Sequence, residues 1–378
     1  MTHDLRPAPV EPSRTERSDR PDPATATPPA TRRDPFFDNA KYLAIVLVAV
    51  AHAWEPFRDD SRAAEALYMT VYAFHMPAFI LVSGYLSRGF AMRPHQLKRL
   101  VTGVVVPYVI FETAYSLHKA WSEDDPTPTI SLMNPMYIMW FLVALFIWRL
   151  TTPLWKLVRW PVPIALGISV LASVSPSIST DLELQRVLQF LPFFVIGLHL
   201  KPEHFRIVRR REARLLAVPV TLCALVIAYW AVPRVDREWL FHRSSAQEIG
   251  VSWWVGILVL LALFACSLLL TACFLALTPG RELWFTALGT ATMYGYLLHG
   301  FLAKSAVYEG WYDAWGGWPR EPLGMVFVTL VAATAVTVLC TSPVRRVFRF
   351  AVEPSVEWVF RRETARPERE RSTSSQAR

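Results

Sequence analysis

The 378-residue chain is 53% apolar and 19% charged, and its formal net charge is +8. Soluble globular chains are on average about 45–50% apolar and about 25% charged, so this composition favours a membrane protein. Several stretches without charge approach or exceed the roughly 20 residues with which a helix crosses a bilayer. This pattern excludes a soluble enzyme, a fibre and a disordered chain.

The apolar stretches, taken in chain order, predict an all-α fold, a polytopic transmembrane helix bundle with about ten spans. Charged or polar connections separate the stretches, as expected for loops at the two membrane surfaces. The predicted spans are 36–55, 66–87, 100–118, 134–152, 161–178, 184–200, 215–233, 250–276, 283–303 and 322–343.

The basic residues predict the orientation of this bundle. Of the 39 lysines and arginines, 30 fall on one side of the layout and nine on the other. Because cytoplasmic loops are enriched in Lys and Arg, we expect both termini in the cytoplasm of a multi-pass plasma-membrane protein. Residues 1–35 carry eight prolines and six arginines, which predicts a disordered cytoplasmic tail. A second such tail is predicted over 361–378, leaving one membrane domain over 36–360.

Several other interpretations of the sequence are weaker. The arginines at 32–33 precede an apolar run that ends in small residues at 51–53, which superficially resembles a cleavable twin-arginine signal. Asp38 and Lys41 interrupt that run, and the bundle needs a first helix. The four cysteines lie in apolar runs without a CxxC pair, so neither a disulfide nor a metal site is predicted. The basic residues form a collar at the inner face, and no nucleic-acid partner is expected.

The first span carries three polar residues on one face. Lys41 and His52 are eleven residues apart, which places them within about 20° of the same helix face and roughly 16 Å apart along the axis. Asp38 lies within about 40° of His52 on the same stripe. The alternative is a capping Asp38, a snorkelling Lys41 and a packed His52. Titratable side chains at bilayer depth are costly, so we interpret the stripe as functional.

Other titratable residues lie at bilayer depth in later spans. Glu112 and His299 are placed in the outer half of the membrane together with His52, as a shared buried site requires. His75 is placed near mid-depth, close to Pro77, which frees a backbone carbonyl. For His299, an interfacial histidine in an aromatic belt is an equally good interpretation.

This set of side chains suits proton abstraction from a hydroxyl followed by acyl transfer. A neutral imidazole is the usual general base near pH 7, and a nearby carboxylate orients it. His52 is therefore the predicted catalytic base, with Glu112 and His75 as supporting catalytic residues.

A thioester donor that carries a phosphorylated nucleotide needs cations to bind the phosphates, some distance from the base. Lys41, Lys98 and Arg99 are predicted to hold the nucleotide of coenzyme A at the cytoplasmic face, while its pantetheine arm reaches towards His52. For Lys98 and Arg99, plain inner-face cations that bind anionic lipid are an alternative. Acyl-CoA is then a substrate, and no permanently bound cofactor or metal is expected.

Six segments in this order resemble the acyltransferase-3 family of integral membrane acyltransferases, over about residues 35–360. The opening Asp-Asn-Ala-Lys is similar to the branch that includes fucose 4-O-acetylases. The segments are DNAKYLAIVLVAVAH (38–52), FHMPAFILVSGYL (74–86), KRLVTGVVVPY (98–108), MWFLVALFIW (139–148), FLPFFVIGLHL (190–200) and GYLLH (295–299).

The resemblance implies a catalytic role for His52 and a role for Lys41 in donor binding or in the catalytic channel. The family usually has Arg at the position of Lys41, and Lys lacks the bidentate fork of Arg. The resemblance also implies transfer of an acyl group, often acetyl from acetyl-CoA, to a hydroxyl of a sugar or glycan. The aromatic loop 304–321 suits either stacking on sugar rings or anchoring at the membrane interface.

A proton-coupled transporter or exporter is the competing hypothesis from another class. Its intramembrane histidines and glutamate would relay protons. The internal repeat with matched helix breaks that is typical of such transporters is not visible in this sequence. The acceptor and the oligomeric state are not predicted.

Overall fold

The computed structural model describes residues 34–178 and 181–354, which contain helices and connecting turns but no strand. The prediction of an all-helical protein is confirmed for these residues. The predicted tails at 1–35 and 361–378 lie outside them, apart from residues 34 and 35. All structural statements below concern the unit that begins at Pro35.

We number the longer helices in chain order. They are α1 Pro35–Ala53, α2 Arg62–Leu86, α3 Pro94–Ser122, α4 Trp140–Leu157, α5 Pro161–Ser173, α6 Leu184–His199, α7 Pro202–Val208, α8 Arg211–Ala231, α9 Trp253–Leu277, α10 Thr292–Tyr308, α11 Pro322–Leu339 and α12 Ser342–Val352.

Six of these helices are long and apolar enough to cross a membrane, namely α1, α2, α3, α8, α9 and α11. The chain is therefore a multi-pass membrane protein. The other four predicted spans also contain helices. Of these, α5, α6 and α10 have only 13, 16 and 17 residues, and α4, with 18 residues, is not apolar enough to be counted with the six.

The structure moves the boundaries of some predicted spans. The stretch 283–303 is not one helix, because a 3-10 turn at Thr286–Thr290 precedes α10, which starts at Thr292. This turn packs closely on α1, where Gly289 lies against the backbone of Asp38. The third span is longer than predicted, since a π-helical turn at Val101–Val105 joins two α-helical parts of α3.

Helix α1 lies at the centre of the candidate site because it packs against α2, α10 and α11. Helix α2 in turn packs closely on α6. Gly84 of α2 and Gly197 of α6 each face the backbone of the opposite helix, and a Cβ at either position would collide with it. Small residues that let two backbones approach are typical of helix pairs in membranes. The N-terminal halves of α2 and α6 line the same cavity.

Candidate active site

A polar cavity of about 320 Å³ lies at the end of α1 that carries His52. Residues from α1, α2, α4, α6 and α10 line it, together with the connections that follow α1, precede α4 and α6, and join α8 to α9. Side chains that concern the chemistry are His52, Glu55, Arg58, Tyr72, His75, Tyr137, Glu183, Arg186, Glu238, Arg243 and Lys304. Such a concave site with convergent polar groups is the usual form of a small-molecule binding site.

The shortest contact of a titratable pair in this cavity joins His52 to Glu55. Helix α1 ends at Ala53, and a 3-10 turn with Pro56 near its start places Glu55 three residues after the histidine. The Nδ1 atom of His52 lies 2.6 Å from Oε1 of Glu55. A carboxylate only accepts hydrogen bonds, so Nδ1 carries the proton and donates. The Nε2 atom of neutral His52 then keeps its lone pair, which is the form a general base requires.

Glu55 is held in place by more than the histidine. The hydroxyls of Tyr72 and Tyr137 each lie 3.4 Å from one of its carboxylate oxygens. Glu55 lies two residues beyond the end of α1, and burial raises the pKa of its carboxyl. The hydrogen bond from His52 and the nearby positive charges of Lys304 and Arg58 lower that pKa more, so the net shift is downward. Glu55 is therefore a carboxylate at neutral pH, oriented to hold the imidazole of His52.

Two more histidines lie close to this pair. The ring of His299 is centred 5.5 Å from that of His52, and the ring of His75 lies 4.7 Å from that of Tyr72. His75 lines the polar cavity and is anchored through Nδ1, which lies 2.9 Å from the carbonyl oxygen of Val71. The structure thus brings together His52, His75 and His299, which the sequence placed on three separate spans.

Glu112 occupies a different position from the one its depth suggested. Its side chain is fully buried, and both carboxylate oxygens accept the backbone N–H of Met136, at 3.0 and 2.9 Å. It is not among the residues that line the polar cavity. The next residue, Tyr137, contacts both Glu55 and the ring of His52. Glu112 therefore holds the backbone of the connection that carries Tyr137.

The three predicted donor cations do not line the polar cavity. Lys41 forms an ion pair with Asp38, 2.8 Å away on the same face of α1. On α3, Lys98 is half-buried and Arg99 is exposed. Within residues 34–178 and 181–354, no group of three or more metal-ligating side chains converges.

Several residues of the cavity were missed by sequence reasoning. Arg186 and Arg243 lie beside Glu183 and Glu238, at 3.6 Å and 3.0 Å, and Lys304 lies 4.0 Å above the ring of Tyr137. The sequence placed these cations in loops or helix ends on the less basic side and assigned them no role. Glu55 was missed as well. Its position three residues after His52 was the available signal, because residues at that spacing on a helical turn lie near each other.

A second, apolar groove of about 420 Å³ lies on another side of the histidine pair. Helices α1, α10 and α11 and the loop between α10 and α11 form its walls, and His299 lines it. Aromatic side chains from that loop and from α11 form one part of the lining, and six alanines form another part. The aromatic residues are Trp311, Tyr312, Trp315, Trp318 and Phe327. The alanines are Ala49, Ala53, Ala303, Ala306, Ala332 and Ala335.

Comparison with known protein families identifies the family of this chain. The model of the acyltransferase-3 family, described as an acyltransferase domain, matches residues 34–342. The match covers well over half of the chain, which therefore belongs to this family of acyltransferases. Comparisons with curated proteins and with solved structures return no match.

Proposed function

We propose that this protein is a plasma-membrane O-acyltransferase that moves an acyl group, such as acetyl, from a CoA thioester to a hydroxyl of a sugar or glycan-like acceptor. The contact between His52 and Glu55 carries the proposal, because an imidazole oriented by a carboxylate is the usual device for activating a hydroxyl. We further propose ten spans with both termini in the cytoplasm, which puts His52 in the outer half of the membrane.

The proposed reaction begins with an acceptor hydroxyl in the polar cavity. Nε2 of His52 takes the hydroxyl proton while the oxygen attacks the carbonyl carbon of the thioester. The carbon–sulfur bond breaks, the imidazolium returns its proton to the leaving thiolate, and the products are an ester and free CoA. Glu55 favours the step because its negative charge stabilises the imidazolium.

The lining of the polar cavity favours a polyhydroxylated acceptor. The Arg186–Glu183 and Arg243–Glu238 pairs offer both donors and acceptors. Aromatic side chains such as Tyr72 suit the apolar faces of a sugar ring. We include a fucose-like sugar among the proposed acceptors because the opening of α1 resembles that branch of the family.

For the donor, we propose that Lys41, Lys98 and Arg99 contact the nucleotide of acyl-CoA at the inner face. In this arrangement the pantetheine arm runs along α1 from Lys41 to His52, over roughly 16 Å. Lys41 would then leave the carboxylate of Asp38 and bind a phosphate of the nucleotide instead.

The proposal is tested with the full chain in lipid nanodiscs, radiolabelled acetyl-CoA and a panel of monosaccharide and glycan acceptors that includes fucose. We expect label on an acceptor hydroxyl, with one CoA thiol released for each label transferred. Uptake of a solute into proteoliposomes that depends on a pH gradient, without any acyl donor, would favour the transporter hypothesis instead.

A further inference from the structure

His299 lines the apolar groove, and one of its ring nitrogens has no hydrogen-bond partner within residues 34–178 and 181–354. His299 is only 4% exposed, and its Nε2 atom is buried without a hydrogen-bond partner. Its Nδ1 atom lies 2.9 and 2.8 Å from the carbonyl oxygens of Gly295 and Tyr296. Carbonyl oxygens only accept, so Nδ1 carries the proton, and Nε2 of the neutral ring presents a lone pair.

A buried lone pair without a donor is costly, so a ligand or water must supply the missing hydrogen. A hydroxyl group supplies one. Because the rings of His299 and His52 are 5.5 Å apart, a hydroxyl that meets Nε2 of His299 also lies beside the proposed base. The reacting atoms at His52 therefore lie next to the part of the apolar groove that His299 lines.

From the reacting carbonyl beside His52, the acyl chain can extend either into the polar cavity or into the apolar groove. The polar cavity carries four cations and three carboxylates, and a hydrocarbon chain there would displace water from charged groups. The apolar groove carries alanine, valine, leucine and aromatic side chains, and burial of a chain against them is favourable. A water-sized group occupies about 30 Å³, so a groove of about 420 Å³ has room for far more than two carbon atoms.

We propose that this groove holds the acyl chain of the donor, and that the enzyme prefers acyl groups longer than acetyl. The inference rests on the proposed function and names the acyl chain as a second determinant of its specificity. The alanines are the reason for the depth of the groove, because larger side chains at the same positions would fill it. Ala303 of α10 and Ala332 of α11 lie on two walls of the groove.

The test measures equilibrium binding of acetyl-CoA, butyryl-CoA and hexanoyl-CoA to the full chain in nanodiscs. Each buried methylene strengthens binding about fourfold. We therefore expect hexanoyl-CoA to bind at least about tenfold more tightly than acetyl-CoA, after part of the gain is lost to chain ordering.

Two variants locate the effect. Ala332→Phe, and independently Ala303→Phe, should bring the affinity for hexanoyl-CoA close to that for acetyl-CoA, because the added ring fills the groove. Thr334→Phe is the matched control, since Thr334 is exposed on the same helix and does not line the groove. It should keep the preference for the longer chain.

The outcomes separate this inference from the proposed function. Equal binding of acetyl-CoA and hexanoyl-CoA, or a chain-length preference that survives both groove variants, overturns the inference and leaves the acyltransferase proposal standing. The groove is then occupied by bilayer lipid only. If no acyl-CoA binds at all, the proposed function is refuted and the inference with it.

Discussion

Replacing the Glu55 carboxylate by an amide tests the histidine–carboxylate pair directly. Glu55→Gln keeps the size of the side chain and removes its charge. Hydrogen bonds to charged groups contribute about 1.5–3 kcal/mol. The Nδ1–Oε1 distance of 2.6 Å identifies this bond as a strong one. At about 1.4 kcal/mol per factor of ten, its loss in the transition state lowers the rate roughly 10- to 150-fold.

The assay is release of CoA thiol during acyl transfer in nanodiscs, with kcat and KM for acyl-CoA measured separately. We expect kcat to fall while KM changes little, because Glu55 acts on the base and not on the donor. Glu238→Gln is the matched control: Glu238 lines the same cavity but pairs with Arg243 instead of His52. A wild-type kcat for Glu55→Gln, or an equal loss for Glu238→Gln, would refute the reasoning.

Three further predictions concern the residues around the pair and the helix crossing that supports the site. Tyr137→Phe removes a 3.4 Å contact to the carboxylate and should lower kcat about two- to tenfold, measured in the same thiol assay; an unchanged kcat would show that this hydroxyl does not hold the carboxylate. Glu112→Ala leaves a buried N–H unsatisfied and should cost about 1–3 kcal/mol of stability, with partial rescue by Glu112→Gln in thermal unfolding. Gly197→Ala forces a Cβ into the backbone of α2 and should cost about 1–3 kcal/mol, whereas Gly167→Ala, in open space on α5, should cost nothing. Equal melting temperatures for the two glycine variants would contradict the close helix crossing.

The sequence was most informative where one strong physical effect decides the structure. Long charge-free runs correspond within a few residues to α2, α8, α9 and α11, because only a helix satisfies the backbone of such a run in lipid. The run 283–303 was misjudged because a 3-10 turn interrupts it. Hydropathy measures how apolar a stretch is and does not detect such a turn.

The site was only partly predictable for a related reason. The helical repeat placed His52 on a polar stripe, and depth alone suggested Glu112 as its acidic neighbour. The depth of a residue in the membrane does not say which neighbouring helix its side chain faces. The packing of the helices decides which side chains come into contact. The structure turns Glu112 towards Met136 and brings Glu55, just beyond the apolar run, to the imidazole. Cations such as Arg186 were overlooked because loop charges were counted for orientation and not for chemistry.

The central claim is that acyl transfer depends on the imidazole of His52. The most direct measurement compares transfer of labelled acetyl from acetyl-CoA by wild type, His52→Ala and His199→Ala, all in nanodiscs. His199 lies at the end of α6 and bonds the carbonyl of Val195, outside the polar cavity. The account predicts that His52→Ala loses transfer while it stays folded and binds acyl-CoA, and that His199→Ala keeps it. Full transfer by folded His52→Ala would contradict the account.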